Sequence, residues 1–251
     1  MALHDDRIRA LIRATRDAAD PQRALHAVRA ALHELARRPA DRDADPAWND
    51  RRYDGLGVLS TAIDAHLAAA RRDPGNDAYL AALQAELHQD ALTGLGNRRA
   101  LNHHLSQSST WTTAPCVVAM IDLDRFKAVN DQRSHAAGDA VLITVAHTVN
   151  SSLRTKPPGR DILTRFGGDE FVAILPNTTL PPAVQALRRA VAAVHALPTN
   201  TGGGVTLSVG AAAVQPDGDA AAALDTADRA MYAAKRLGDN TVMSAPTPEI
   251  R

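Results

Sequence analysis

Four acidic residues stand where a chain has little packing reason to place them. The apolar run VVAMI, residues 117–121, ends on Asp122 and Asp124, separated by Leu123. Alternation along a strand puts both acids on one face. Asp169 and Glu170 follow Gly167 and Gly168 in RFGGDEFVAIL, residues 165–175, between two apolar runs. Glycines there can take positive φ without steric cost and let another molecule approach the backbone closely. Acids in a turn are ordinarily just solvated, and GGDE alone would carry no more than that. A second acidic site changes the weighing. Carboxylates brought together from neighbouring strands repel unless a cation lies between them, and their hard oxygens suit Mg²⁺. Mg²⁺ keeps waters and substrate phosphates in its shell, so two or three protein oxygens beside a glycine turn point to a nucleoside triphosphate. Asp124 reads equally well as the N-cap of the FKAVND turn that follows it.

Downstream stand Lys127, Asn130 and Asp131, then Gly138 and Asp139 at the start of a helix. A carboxylate can accept from the N1 and N2 hydrogens of guanine while an amide pairs with the remaining edge. Adenine would not satisfy that carboxylate. Taken singly, these are ordinary cap and turn residues. Lys235, late in the last helix, can neutralise phosphate charge or simply be a solvated helical lysine.

The elements that must position these groups change character along the chain. Residues 7–87 carry a helical apolar period, interrupted by Asp20-Pro21, by Pro39 and the polar stretch after it, and by RDPGND. They predict a small all-α bundle. After His88 strand and helix signals alternate. CVVAMIDLD reads as a buried strand, GDAVLITVAHTVNSSL as a helix, and DILTRF with EFVAIL as a hairpin. PPAVQALRRAVAAVHAL follows as a helix, VTLSVGAAAV as a strand, AAALDTADRAMYAAKRLG as a helix and NTVMS as a short last strand. The order predicts an α+β unit, a mainly antiparallel, ferredoxin-like sheet with helices packed on it. The boundaries expected are 1–88 for the helical domain, 89–245 for the α+β domain and 246–251 for a tail.

Of the 251 residues 45% are hydrophobic, enough for more than one core. The 28 basic and 28 acidic residues cancel, so no global positive field argues for nucleic acid or an anionic membrane. A nucleic-acid polymerase or binding module would carry such a surface. The single Cys116 lies in an apolar run and reads as a buried, unreactive thiol suited to a reducing compartment. The N-terminus lacks the pattern of a signal peptide and no apolar run approaches a membrane span, so a cytoplasmic protein is expected.

DALTGLGNRRAL (residues 90–101), MIDLDRFKAVNDQ (120–132), AGDAVL (137–142), RFGGDEF, VTLSVG and ADRAMYAAKRLG, in this order, resemble the GGDEF family of diguanylate cyclases. The resemblance runs from Asp90 to about Val242. It implies a nucleotidyl cyclase-like fold and a nucleotidyltransferase of bacterial signalling that condenses two GTP into cyclic di-GMP. Each domain would bind one GTP, and two domains would face each other as a homodimer. It implies Asp122, the Leu123 carbonyl, Asp169 and Glu170 as ligands of Mg²⁺, with Mn²⁺ as a substitute. Glu170 would be a further ligand or a base for the 3′-hydroxyl. Asn130 and Asp139 match guanine-reading positions, Lys127 and Lys235 phosphate-contacting ones. Backbone amides around Arg125 and Phe126 would cradle the triphosphate, and Gly167 and Gly168 would make room for it. The helical N-terminal domain is expected to bind an unknown ligand or protein and to control dimer geometry. The alternative is a catalytically weak module that binds GTP or another nucleotide and signals through a partner.

Three departures from the family pattern bear on these expectations. The inhibitory product site RxxD aligns with Pro158, Gly159, Arg160 and Asp161, so its arginine is displaced. The usual glycine before the motif histidine is Ser134 in RSHAAGD, which predicts an altered loop beside the base pocket. The frequent arginine after AKxxG is Asp239, which predicts weaker triphosphate binding by ~1 kcal/mol.

Overall fold

Strand β1 (Cys116–Leu123) is buried at every position, and the reason is visible on both sides of it. In a computed structural model of the protein, the structure describes residue 10 and residues 87–106, 114–154, 160–198, 204–215 and 219–245. The other described elements are α1 (Arg98–Ser106), α2 (Phe126–Gln132), α3 (His135–Ser152), β2 (Ile162–Gly167), β3 (Glu170–Pro176), α4 (Leu180–His195), β4 (Leu207–Val214), α5 (Ala220–Leu237) and β5 (Val242–Ser244). The sheet order is β2-β3-β1-β4-β5. The β1/β3, β1/β4 and β2/β3 pairs are antiparallel, and β5 joins β4 in parallel. The first four strands thus have the ferredoxin-like order expected, with one parallel strand added through the α5 crossover.

Alternate residues of β1 face opposite layers. Val117, Ala119, Ile121 and Leu123 pack with Phe171, Val209, Val145 and Leu187, the last two from α3 and α4. Cys116, Val118 and Met120 pack with Leu101 and Leu105 of α1 and Ala227 and Met231 of α5. An antiparallel sheet covered on both faces needs apolar side chains at odd and even positions alike, so β1 reads as one continuous run. Cys116 is 2% exposed, and burial pushes its thiol up to about 11, as expected of an inert core thiol.

The sequence motif DALTGLGNRRAL closes the β2 edge. Gly96 bridges Thr164 in parallel and its carbonyl accepts from Arg165 N at 2.8 Å. Asn97 then caps α1, its Oδ1 accepting from the amides of Arg99 and Ala100. A glycine is required where β4 meets α5. A Cβ at Gly210 would lie 2.1 Å from the Ala227 carbonyl oxygen and 2.1 Å from the Met231 nitrogen, so helix backbone rests directly on strand backbone. By its internal contacts the chain divides into two units, Met1–Ala91 and Leu92–Arg251. The expected helical bundle and the residue 246–251 tail lie outside the described residues. Among the described residues no helix is long and apolar enough to cross a membrane.

Candidate active site at the ends of the central strands

The hairpin between β2 and β3 has a two-residue loop, Gly168 and Asp169. Gly168 takes φ 50°, in the region that favours glycine. Arg165 holds the loop from below, donating from Nε (3.0 Å) and Nη2 (2.7 Å) to the Gly168 carbonyl. A Cβ at Gly167 or Gly168 would meet nothing within 4 Å, so the space over the turn is open. The Asp169 carbonyl accepts from the Leu123 amide at 3.3 Å, which fastens the turn to the end of β1.

That fastening brings the acids together. Glu170 begins β3 directly opposite Asp122 in the β1/β3 register. Asp122 is 6% exposed, although its carboxylate belongs to a charged residue. Lys235 reaches it from the last turn of α5, with Nζ 2.7 Å from Oδ1. Beyond this ion pair, Oδ1 has no hydrogen-bond donor. Burial pushes the Asp122 carboxyl up to about 6; Lys235 opposes this and the charges of Asp169 and Glu170 add to it. Glu170 is also shifted up, by burial first and then by Asp169 and Asp228, against the pull of Lys235 and Arg98. A buried carboxylate oxygen whose one partner is an ammonium on a flexible stem, opposite a second acid, suits a hard divalent cation. Among the described residues no three carboxylate, imidazole or thiol groups are gathered closely enough to form a cage by themselves. A cation there would complete its shell from the Leu123 carbonyl, water and substrate oxygens.

Asp124 has a different task. Its carboxylate accepts from Ser208 Oγ (2.5 Å), Thr206 Oγ1 (2.7 Å) and the Asn240 amide (3.0 Å). Its amide donates to the Thr206 carbonyl at 2.9 Å. The N-cap of α2 is Arg125, at φ 56° and without a side-chain capping bond, so Asp124 is not the cap its position suggested. β1 ends at Leu123, so Asp124 lies beyond the alternation expected to pair it with Asp122, and Thr206, Ser208 and Asn240 occupy its oxygens.

The proposed base-reading pair lies where α2 meets α3. Asn130 Oδ1 is buried without a hydrogen-bond donor, and a Cβ on Gly138 would come within 2.0 Å of it. Asp139 follows Gly138 in the first turn of α3 and is half-buried. Ser134 accepts from the Ala137 amide at 3.2 Å and caps α3. Its φ of 168° is extended backbone open to any residue, so a serine in place of glycine imposes no distortion. Phe126 is buried, and Lys127 is exposed on α2 outside these contacts.

Two ion pairs answer the remaining departures. Asp239 Oδ2 lies 2.8 Å from Arg125 Nε, so the acid at this position is neutralised by the cation preceding α2. Asp161, 5% exposed, is held by Arg154 through Nε (3.0 Å), Nη2 (2.6 Å) and its amide (2.7 Å). Arg98, whose guanidinium stands 4.6 Å from the centroid of the Phe166 ring, and Asp228 both act on Glu170, and sequence reasoning had passed over both. Their helical positions are ordinary, and only the fold aims them at the turn.

The family model described as diguanylate cyclase, GGDEF domain, matches residues 87–241. The chain is 39% identical over 155 residues to the diguanylate cyclase DgcP of Pseudomonas aeruginosa, covering 59% of this chain and 22% of that protein. It is 36% identical over 163 residues to the response regulator PleD of Caulobacter vibrioides, covering 61% and 35%. These matches span well under half of either relative. Among solved structures, the GGDEF domain of DgcB from Caulobacter crescentus, in complex with c-di-GMP, is similar at a TM-score of 0.58 and 30% identity, covering 64% of this chain and 94% of that one. SiaD from Pseudomonas aeruginosa, solved with its activator SiaC, is similar at 0.60 and 31%, covering 87% and 82%. With an acid-bearing glycine hairpin set against the end of its central strand and a family match over more than half its length, the chain belongs to the GGDEF family of diguanylate cyclases.

Proposed function

We propose that this protein condenses two molecules of GTP into cyclic di-GMP, each GGDEF domain of a homodimer presenting one GTP to the other. The observation that carries the reading is the buried Asp122 oxygen, opposite Glu170 and beside the open glycine turn. In each of two equivalent steps a 3′-hydroxyl attacks the α-phosphorus of the other nucleotide. A phosphodiester bond forms, the α–β anhydride bond breaks, and pyrophosphate leaves. Asp122, Asp169, Glu170 and the Leu123 carbonyl would hold Mg²⁺ or Mn²⁺, which supplies neutralisation of the charge on the transferring phosphoryl group.

The chain's own groups orient and hold. Asn130 and Asp139 read the guanine edge, and Gly167 and Gly168 leave the turn open to the nucleotide. Lys127 and Lys235 meet phosphate oxygens, as do the amides around Arg125 and Phe126. The raised proton affinity of Glu170 suits a group that accepts the proton of the attacking hydroxyl. Regulation through residues 1–88 fits the same picture, and SiaD, solved with its activator, is a relative in which a partner is bound.

Incubation of the purified protein with GTP and Mg²⁺ should yield cyclic di-GMP and pyrophosphate by mass spectrometry. Binding of GTP with no product over a long incubation would select the second reading, a nucleotide-binding module. The Asp239–Arg125 pair, which puts an acid where the family pattern has a cation and engages the cation preceding α2, is what favours that alternative.

Gly138→Ala tests the guanine contact. The added Cβ must push Asn130 Oδ1 aside, and that oxygen can move because it ends a flexible side chain. Loss of one base hydrogen bond predicts a rise in KM for GTP of roughly tenfold, with a melting point lowered by only a few degrees. An unchanged KM would remove Asn130 from the base pocket.

Product inhibition is expected to be weak or absent. Arg154 occupies both carboxylate oxygens of Asp161 inside the fold, and the arginine of RxxD is replaced by Pro158. Noncompetitive inhibition by submicromolar cyclic di-GMP in a steady-state assay would refute this.

A further inference from the structure

The ammonium of Lys235 rests on the very carboxylate that a divalent cation would need. Nζ lies 2.7 Å from Asp122 Oδ1, and that oxygen has no other polar neighbour donating to it. Asp122 has an 8% exposed side chain, whereas Lys235 is 37% exposed and reaches in from the last turn of α5. Glu170 stands across the strand register and Asp169 one residue before it, so two further carboxylates add negative charge beside the Asp122–Lys235 pair. A buried carboxylate without a counter-ion is costly, and a lysine on a flexible stem is the side chain best able to supply one and then leave.

We propose that Lys235 is a resident counter-ion which a divalent cation must displace, and that the displaced ammonium is handed to the phosphates of the incoming nucleotide. The inference rests on the metal-nucleotide reading of the site given above. A lysine and a divalent ion cannot share one buried lone pair without strong repulsion. Metal arriving alone would strip Lys235 of its anionic partner and leave it only water. Metal arriving with a triphosphate exchanges one anionic partner for another. The site therefore takes the metal and the nucleotide together and binds the bare metal poorly. Lys235 thus both opposes the metal and favours the nucleotide, and the two effects part when its charge is removed.

The test is Lys235→Met, which keeps the aliphatic stem, with Lys235→Gln as a second variant should the first fail to fold by circular dichroism. Binding of Mn²⁺ alone is followed by electron paramagnetic resonance of the free ion. Binding of 3′-deoxy-GTP, which has no attacking hydroxyl, is followed by calorimetry in the presence of Mn²⁺. The expected result is opposite shifts in one variant: Mn²⁺ alone bound about tenfold more tightly than by the wild type, and 3′-deoxy-GTP bound about tenfold more weakly. Unchanged or weakened binding of Mn²⁺ in a folded variant overturns the inference and leaves the cyclase reading standing. A wild-type protein that does not bind 3′-deoxy-GTP with Mn²⁺ overturns both.

Discussion

Asp122→Asn is expected to slow cyclic di-GMP formation by roughly 100- to 1,000-fold, the scale of removing one preorganised electrostatic group from a transition state. The same change should make the nucleotide-free protein more stable at neutral pH. Folding raises this carboxyl from its ordinary 3.8 to about 6, chiefly by burial, so the fold resists its ionised form. The folded state binds the proton more tightly, and stability must fall as pH rises through the interval between those two values. Below that interval Asp122 costs nothing. Above it the full penalty stands, at most about 3 kcal/mol for a shift of this size. Asparagine has no charge to bury, and Lys235, partly exposed, can turn to water. Thermal melts in chelator-containing buffer should therefore show the variant ahead of the wild type at neutral pH, with the gap closing toward mildly acidic pH. A variant less stable by a constant margin at every pH would mean that Asp122 is a structural ion-pair partner after all.

Gly210→Ala should be the most damaging single methyl group in the described part of the protein. The new Cβ would meet the Ala227 carbonyl oxygen, the Met231 nitrogen and the Ala230 carbonyl carbon, all at 2.8 Å or less. These are helix backbone atoms and cannot swing away as a side-chain end does. Either α5 lifts from β4 or the strand bends, at a cost on the order of 3 kcal/mol or more. For a unit of this size that is a drop in melting temperature of roughly 10 °C. Lys235 lies one helical turn beyond Met231, so a lifted α5 also draws its ammonium away from Asp122. Nucleotide affinity should fall with stability, and a melting point within a degree of the wild type would show that the layers are looser than this contact implies.

Much of the α+β unit was legible because its periodicities are unmixed. The run CVVAMIDL reads as a buried strand, as it proved to be, and the helical pattern of ALDTADRAMYAAKRL matches α5. The last strand was legible in NTVMS but its parallel pairing was not, and the helix that Asn97 caps was missed because its glycine-rich approach carries little hydrophobic signal. In the site, the pairing of Asp122 with the GGDE turn followed from chemistry read off two separate stretches. Asp124 shows the limit of that reading. IDLD offers two equal acids, and only the long-range partners Thr206, Ser208 and Asn240 distinguish a clamp from a candidate ligand. Asp239 teaches the same point in reverse. Its sign is plain in the sequence, but its neutralisation by Arg125 depends on a loop and a strand end meeting across the sheet.

The Asp124 clamp also governs when the site comes into being. Its carboxylate reaches partners 82, 84 and 116 residues further along the chain, and β1 finds its own neighbours only in β3 and β4. The central strand is made early on the ribosome and must wait, apolar and unpaired, until β3 and then β4 have followed it. Such distant closure is slow compared with helix formation, and it exposes the strand while it lasts. Asp122 and Glu170 can face each other only once β3 has been laid against that waiting strand. The end of β1 is fixed later still, after Asn240 has been added. Nucleotide has nothing to bind in the nascent chain, so it can stabilise the finished fold but cannot template it.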